Sequence, residues 1–181
     1  MVLYVITGSK DKFIEVKKAL HPIKVEQKEI DLIEIQSLDS KEVIKHKLNE
    51  AAKYSKGEFI VDDVSLSLFA LNKMPGPLIK WFLKGLGVKK IYELCKLYKD
   101  YDAEAKSTIG YTNGKELVYF EGIVKGKIVE PREGSDFGWD PIFVPEGNNK
   151  AFCEMTKEEK NLVSHRGRAL KKFKEYYLNR K

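Results

Sequence analysis

The residues with the clearest chemical potential are two adjacent carboxylates, Asp62 and Asp63, in the run Glu58-Phe59-Ile60-Val61-Asp62-Asp63-Val64. The apolar triplet Phe59-Ile60-Val61 follows a helix-stopping Gly57 and reads as a buried strand, so the pair is predicted at that strand's end. Carboxyl ends of strands border the ligand crevice in open α/β sheets, and carboxylates there suit Mg²⁺ or the orientation of a water. Neighbouring strand residues face opposite ways, which leaves one aspartate for the crevice unless the strand bulges or ends there. The competing reading is that both aspartates cap the next turn. A third carboxylate, Glu34, sits in the segment Asp31-Leu32-Ile33-Glu34-Ile35-Gln36.

Anion chemistry is suggested near the amino terminus by Thr7-Gly8-Ser9-Lys10-Asp11-Lys12, placed between a first strand (Met1 to Ile6) and a helix with Phe13, Val16 and Leu20 on one face. Free amides at a helix start bind phosphate, and a glycine lets backbone approach it. Lys10 and Lys12 oppose the helix dipole there, a local conflict that a bound phosphate would resolve. Lys47 falls inside the apolar arc of the helix Lys41 to Ser55, where a lysine either snorkels or reaches a buried anion. Phe137-Gly138-Trp139-Asp140 places two aromatics in a polar loop, suited to stacking on a flat base or to the core. Ser164 is predicted to cap the last helix, with His165 and Arg166 as donors for an anion or a purine carbonyl; Lys160 lies on the short helix before it.

These residues need elements to hold them. A chain of 181 residues suits one domain, 1–181, with a sizeable core. Strands are predicted from Lys24 to Ile30, Ala105 to Tyr111 and Leu117 to Phe120, the last two joined by an Asn113-Gly114 hairpin, with a further bent strand around Lys125-Gly126-Lys127. Two helices are expected around Gly85, the first carrying Trp81 and Phe82. A helix capped by Ser40 should carry Lys47. Neither a zinc spacing nor a dinucleotide fingerprint is found. Two cysteines give no disulfide framework, and the first strand lacks the marks of a signal, so a reducing cytoplasm is expected. No apolar run reaches membrane-spanning length. The formal charge of +6 favours anionic partners, but the lysines are scattered, which disfavours a nucleic-acid module.

With these pieces assembled, the sequence resembles the inosine triphosphate pyrophosphatase family nearly end to end. The carriers are Thr7 to Lys12, Val61-Asp62-Asp63, Pro75-Gly76-Pro77-Leu78-Ile79-Lys80-Trp81-Phe82, Phe137-Gly138-Trp139-Asp140-Pro141 and Glu159 to Leu170. The resemblance implies hydrolysis of ITP, dITP and XTP to the monophosphate and pyrophosphate. It makes Thr7, Gly8, Ser9, Lys10, Asp11 and Lys12 the triphosphate contacts, with Lys47 and Val64 as further contacts. Phe137, Gly138, Trp139, Asp140, Lys160, Ser164, His165 and Arg166 are placed around base and sugar. Glu34 and Asp63 become the Mg²⁺ carboxylates, with Asp62 as a further candidate and Asp63 as catalytic residue, whether ligand or base. The implied fold is an elongated α/β domain with a long mixed sheet flanked by helices and two lobes around a nucleotide cleft, as a cytoplasmic homodimer without a stable nucleic-acid or membrane partner. Ser9 stands where the family often has asparagine, and Val64 where it has serine or threonine; valine lacks the hydroxyl, leaving Ser65 as a substitute donor.

Overall fold

The computed structural model describes residues 2–180; Met1, included in the predicted first strand, lies outside them. Among the described residues one mixed sheet contains β1 (Leu3–Ile6), β2 (Val25–Lys28), β3 (Phe59–Leu68), β4 (Pro75–Gly76), β5 (Asp102–Thr112), β6 (Leu117–Ile128) and β7 (Phe143–Pro145). Their order is β2-β1-β3-β5-β6-β7, with β4 beside β3. β1 is parallel to β2 and β3, and the remaining pairs are antiparallel. The helices are α1 (Lys10–Leu20), α2 (Ser40–Tyr54), α3 (Ile79–Tyr98), α4 (Lys157–Val163) and α5 (His165–Asn179).

The caps show why these helices begin where they do. Ser9 Oγ accepts from the Lys12 amide, Thr156 and Glu159 form a reciprocal box at α4, and Ser164 Oγ accepts from the Gly167 amide at α5. At α2 the expectation is corrected: Asp39 is the cap, accepting from the Lys41 amide at 2.9 Å, and Ser40 is the first helical residue.

β3, β5 and β6 are long enough to serve two cores. At one end β1 and β3 pack Val5 and Ile60 under α1 and α5, with Val16, Leu170 and Phe173; on the opposite face Phe59 and Val61 meet Ile44 and Leu48 of α2. At the other end Leu66, Leu68, Ala105 and Val124 pack with Ile79, Ile91, Trp139 and Phe152. These are the two lobes, and the middle of β3 lies between them.

Two expectations about elements change and a third is met. β3 does not end at the aspartates but runs through them to Leu68, because Leu66 and Leu68 supply the second core's share of the same strand. Lys125-Gly126-Lys127 is not a bend: β6 is continuous, and Gly126 is small because a Cβ there would lie 2.3 Å from the Val144 carbonyl oxygen. The two helices expected around Gly85 are both present, running together as α3 and separated by non-helical backbone at Gly87 with φ 73°.

Candidate active site

Alternation along β3 sends Asp62 and Asp63 to opposite faces. Asp62 turns toward α1 and α5, where Lys12 Nζ lies 3.3 Å and an Arg166 terminal nitrogen 3.3 Å from its Oδ2. Asp63 turns toward α2. Its Oδ1 is 3.6 Å from Lys47 Nζ, and its Oδ2 is buried without a partner. Lys47 is itself buried, donates to the Asp62 carbonyl at 3.1 Å and pairs with Glu34 Oε1 at 2.7 Å. It reaches that position because Ile44 and Leu48, flanking it on α2, sit directly on Gly110 of β5. A Cβ at Gly110 would lie 2.2 Å from Ile44 Cγ2.

The two aspartates consequently have opposite acidities. Burial works against ionising Asp62, but Lys12 and Arg166 outweigh it and hold its pKa well below the carboxylate range. Burial pushes Asp63 up to about 6; Lys47 opposes this, while the neighbouring Asp62 charge adds to it. Burial pulls Lys47 down, yet Asp63 and Glu34 more than offset it and raise its pKa, so it remains a cation. One carboxylate is thus a fixed anion, and its neighbour is poised to exchange a proton near neutrality, the pattern that separates electrostatic from acid–base roles.

Beside this pair the space between the lobes opens in two directions. A cavity of ≈ 420 Å³ is walled by Val64, Phe137, Trp139, Lys160, His165 and Arg166, and shares Glu34, Lys47 and Asp63 at its mouth. An adjoining hollow of ≈ 590 Å³ is bordered by Thr7, Gly8, Lys12, Glu34, Lys47 and Lys80. The first is aromatic at its end and carries most of the cations, Lys12, Lys47, Lys80, Lys84, Lys160 and Arg166; the second reaches the start of α1 and sets Lys12, Lys47 and Lys80 among the carboxylates Glu29, Asp31, Glu34 and Asp62. The size of this joined space, its aromatic end and the cations at the middle suit a heterocyclic base joined to a polyanion.

Under the aromatic end runs a buried ion network. Glu15 of α1 holds an Arg166 terminal nitrogen with one oxygen and Lys160 Nζ, at 3.3 Å, with the other. Lys160 also donates to Asp140 at 2.5 Å. Burial raises the Asp140 pKa, and Lys160 only partly counters it. Two buried atoms beside this network, His165 Nδ1 and Arg166 Nε, have no partner. Burial, then Arg166 and Lys160, push the His165 pKa well down, so the imidazole is neutral.

A family model described as the Ham1 family matches residues 3–176. The chain belongs to the Ham1 family. It is 42% identical over 178 residues to the inosine triphosphate pyrophosphatase of Pyricularia oryzae, covering 97% of this chain and 93% of that one. To the inosine triphosphate pyrophosphatase of Podospora anserina it is 45% identical over 175 residues, covering 95% and 92%. Among solved structures it superposes on the Staphylococcus aureus Ham1 protein with a TM-score of 0.86 at 24% identity, each chain covered completely. It also resembles a nucleoside-triphosphatase / dITP/XTP pyrophosphatase from Mycobacterium abscessus, with a TM-score of 0.71, 28% identity, and 96% and 98% coverage. The elongated α/β fold with a mixed sheet flanked by helices is that of these Ham1 proteins.

Within the Ham1-family chain, the cleft gathers Thr7, Gly8, Lys12, Glu34, Lys47, Asp63, Val64, Phe137, Gly138, Trp139, Asp140, Lys160, His165 and Arg166. Ser9 and Ser164 stand one step back as helix caps. Lys10 and Asp11 are not in either wall: both are exposed, and Asp11 faces Lys157 at 3.5 Å, because the helix turns them outward. Asp62 lines the second hollow with Glu34, and its carboxylate oxygens pair with Lys12 and Arg166. Trp139 is core as much as wall, 6% exposed and packed on Phe143, Phe152 and His165. Phe137 is the half-buried face, with Lys160 Nζ 5.0 Å from its ring. Ser65 cannot replace a hydroxyl at Val64, because it lies on the opposite face of β3. Glu15 was not legible as a site residue; a glutamate between Ile14 and Val16 on an amphipathic helix reads as surface, and only its two distant cationic partners betray it.

The donor set also fits Mg²⁺ of the kind shared with phosphates. Among the described residues no cluster of three metal-type side chains exists, so there is no all-protein cage. Glu34 is partly exposed at the cleft mouth, and Asp63 carries an unpartnered oxygen. One or two carboxylates, completed by waters and substrate phosphates, is how Mg²⁺ is ordinarily held at nucleotide sites.

Proposed function

We propose that this protein hydrolyses non-standard purine nucleoside triphosphates, ITP, dITP and XTP, to the nucleoside monophosphate and pyrophosphate. The observation that carries the chemistry is Asp63: a buried carboxyl with its pKa raised to about 6 and one unpartnered oxygen, in the wall of an aromatic-ended cavity beside Lys12 and Lys47, which line both that cavity and the hollow leading to α1. Its relatives named inosine triphosphate pyrophosphatase support the substrate class.

In this reading the base lies against Phe137, and the triphosphate extends past Asp63 toward Lys12 and the amides at the start of α1. Asp63 takes the proton of a water that attacks phosphorus. A new P–O bond forms as the bond to the oxygen between the α and β phosphorus atoms breaks, and pyrophosphate leaves with that electron pair. Lys12 and Lys47 stabilise the charge gathering on the phosphate oxygens. With Asp63 serving as base, Mg²⁺ would be held by Glu34 together with waters and substrate phosphates and would neutralise phosphate charge. Separate assays for pyrophosphate and orthophosphate across ITP, dITP, XTP, GTP and ATP test the reading; orthophosphate as the sole product, or no turnover of the first three, would reject it.

A cytoplasmic setting belongs to the same reading, supported by Cys95 and Cys153 being buried free thiols. No helix among the described residues is long and apolar enough to cross a membrane. A homodimer is expected from the family resemblance alone, since Trp81 is drawn to the cleft by its Nε1 donating to Gln36 at 2.6 Å and Phe82 packs on the second core. Sedimentation as a monomer at micromolar concentration would remove that expectation.

A further inference from the structure

Glu34 lies on a strap rather than on a helix or strand. Residues 29–39, between β2 and α2, have no regular structure. Among the described residues no backbone group from Glu29 to Leu38 bonds to another backbone group. The strap is fastened at its two ends: Ile30 and Leu32 pack against the cluster of Ile44 and Leu48, and Ser37 donates to Glu42 at 2.7 Å beside the Asp39 cap of α2. Next to Glu34, Ile33 is 71% exposed, so apolar packing contributes little to fixing the centre of the strap.

Polar side chains hold that centre instead. Both oxygens of Glu34 are met by ammonium groups, Oε1 by Lys47 at 2.7 Å and Oε2 by Lys80 at 3.2 Å. These ion pairs weaken when a divalent cation shares the carboxylate, because the positive charges then repel one another at close range. A metal ligand is poorly positioned by the very contacts its metal competes with. The remaining tie is two residues further on, where Gln36 Oε1 accepts from Trp81 Nε1 at 2.6 Å. Trp81 belongs to α3 of the other lobe. Its neighbours Ile79, Phe82 and Leu83 pack with the second core, whereas Trp81 is itself 51% exposed. An indole left half outside the core is placed by its N–H as much as by its apolar surface. Glu34, Gln36, Lys80 and Trp81 all border both the cavity and the adjoining hollow, so this bond crosses the cleft beside Glu34.

We propose that Gln36 and Trp81 are positioning residues for the metal ligand Glu34: their hydrogen bond ties the strap to α3 and keeps the Glu34 carboxylate at the cleft mouth when its ion pairs with Lys47 and Lys80 give way to a divalent cation.

This inference rests on the proposed Mg²⁺ role of Glu34 and deepens it. Contacts one step beyond a metal ligand set its orientation, and losing one lowers metal affinity by about 10- to 100-fold. Because the donor stands on the second lobe and the acceptor on the first, the bond also makes metal affinity depend on how the two lobes face each other. Gln36 and Trp81 thus act on the metal through Glu34, without touching the reacting atoms.

The test compares the full chain with Trp81→Phe, which keeps an aromatic ring and removes the N–H, with Gln36→Leu, which removes the acceptor at similar volume, and with the double variant. Mn²⁺ binding is read without nucleotide from the free-ion signal in electron paramagnetic resonance, with Glu34→Gln as control, and the Mg²⁺ dependence of ITP hydrolysis is followed in parallel. Each single variant should weaken Mn²⁺ binding about tenfold, and the double variant no further, as two ends of one bond require. Half-saturation by Mg²⁺ should rise by a similar factor, with most of the lost turnover recovered at high Mg²⁺. Wild-type Mn²⁺ affinity in either single variant, losses that add in the double variant, or a turnover deficit that high Mg²⁺ leaves in place would overturn the proposal. Wild-type Mn²⁺ affinity in Glu34→Gln would remove the metal role of Glu34 and the proposal with it. A chain that bound Mn²⁺ as expected in all variants but turned over no ITP would overturn the substrate reading alone.

Discussion

Asp63 Oδ2 is buried without a partner one residue from Asp62, whose oxygens hold Lys12 and Arg166. A fold selected for stability alone would not leave a carboxylate so placed, because an unsatisfied buried charge is costly and is readily removed by substitution. The Asp63→Asn variant is accordingly expected to keep its melting temperature at pH 7 or raise it, since the amide carries no charge to bury. Turnover of ITP should fall at least ~100-fold, the usual loss for a missing general base. Turnover near wild type would reject the role of Asp63, and a much lower melting temperature would mean that its pairing with Lys47 is structural. Arg166 illustrates the reverse situation. From its position at the start of a helix it reads as a donor for base or phosphate, yet its terminal nitrogens lock two buried carboxylates. Arg166→Ala should therefore destabilise by ~3–5 kcal/mol, the cost of stranding buried charge, and depress ITP and ATP hydrolysis together. A selective loss of ITP activity in a fully stable variant would restore the base-reading role.

At the scale of elements, the site depends on how closely α2 and α5 approach the sheet. Gly110 and Gly122 set that distance, one beneath Ile44 and Leu48, the other beneath the His165 carbonyl. Gly110→Ala is expected to cost ~1–3 kcal/mol by overpacking and, by lifting α2, to draw Lys47 away from Asp63 and Glu34. The corresponding measurement is kcat and urea stability in the same variant; unchanged kcat would show that Lys47 adjusts independently of the helix. Neither glycine signals this from sequence. Gly110 interrupts an alternating strand and Gly122 precedes another, and nothing local shows what descends on them. What sequence does carry are the features encoded by neighbours: the Thr156 to Glu159 capping box, the Ser164 cap, the Asn113-Gly114 hairpin and the opposed faces of Asp62 and Asp63 all appear as expected. The end of β3 differs from the expected one because Val64 to Leu68 is legible as strand only once β5 supplies its five partners in register. Glu15 was missed for a similar reason, its partners lying 145 and 151 residues away.

For the whole molecule, the long shared strands place one catalytic row between two cores, so the charges of that row bear on global stability. His165 is held neutral by burial, then by Arg166 and Lys160, whereas in the unfolded chain it titrates near ~6.5. Its folded pKa is depressed, so the unfolded chain takes up a proton that the folded chain refuses. The stability involved is complete above that unfolded pKa and is lost as pH falls through it. Asp63 acts with the opposite sign. Its folded pKa, raised to about 6, lies above the unfolded value near ~3.9, so the folded chain binds that proton first and gains stability as pH falls from 6 toward 4. In metal-free buffer the urea midpoint should therefore decline from pH 7.5 to 6 and then flatten toward pH 5 as the two protons offset each other. In Asp63→Asn the histidine contribution is no longer offset by that carboxyl, and the decline should continue below pH 6. Superimposable wild-type and Asp63→Asn profiles would show that this carboxyl does not titrate near neutrality, and would remove it as the base.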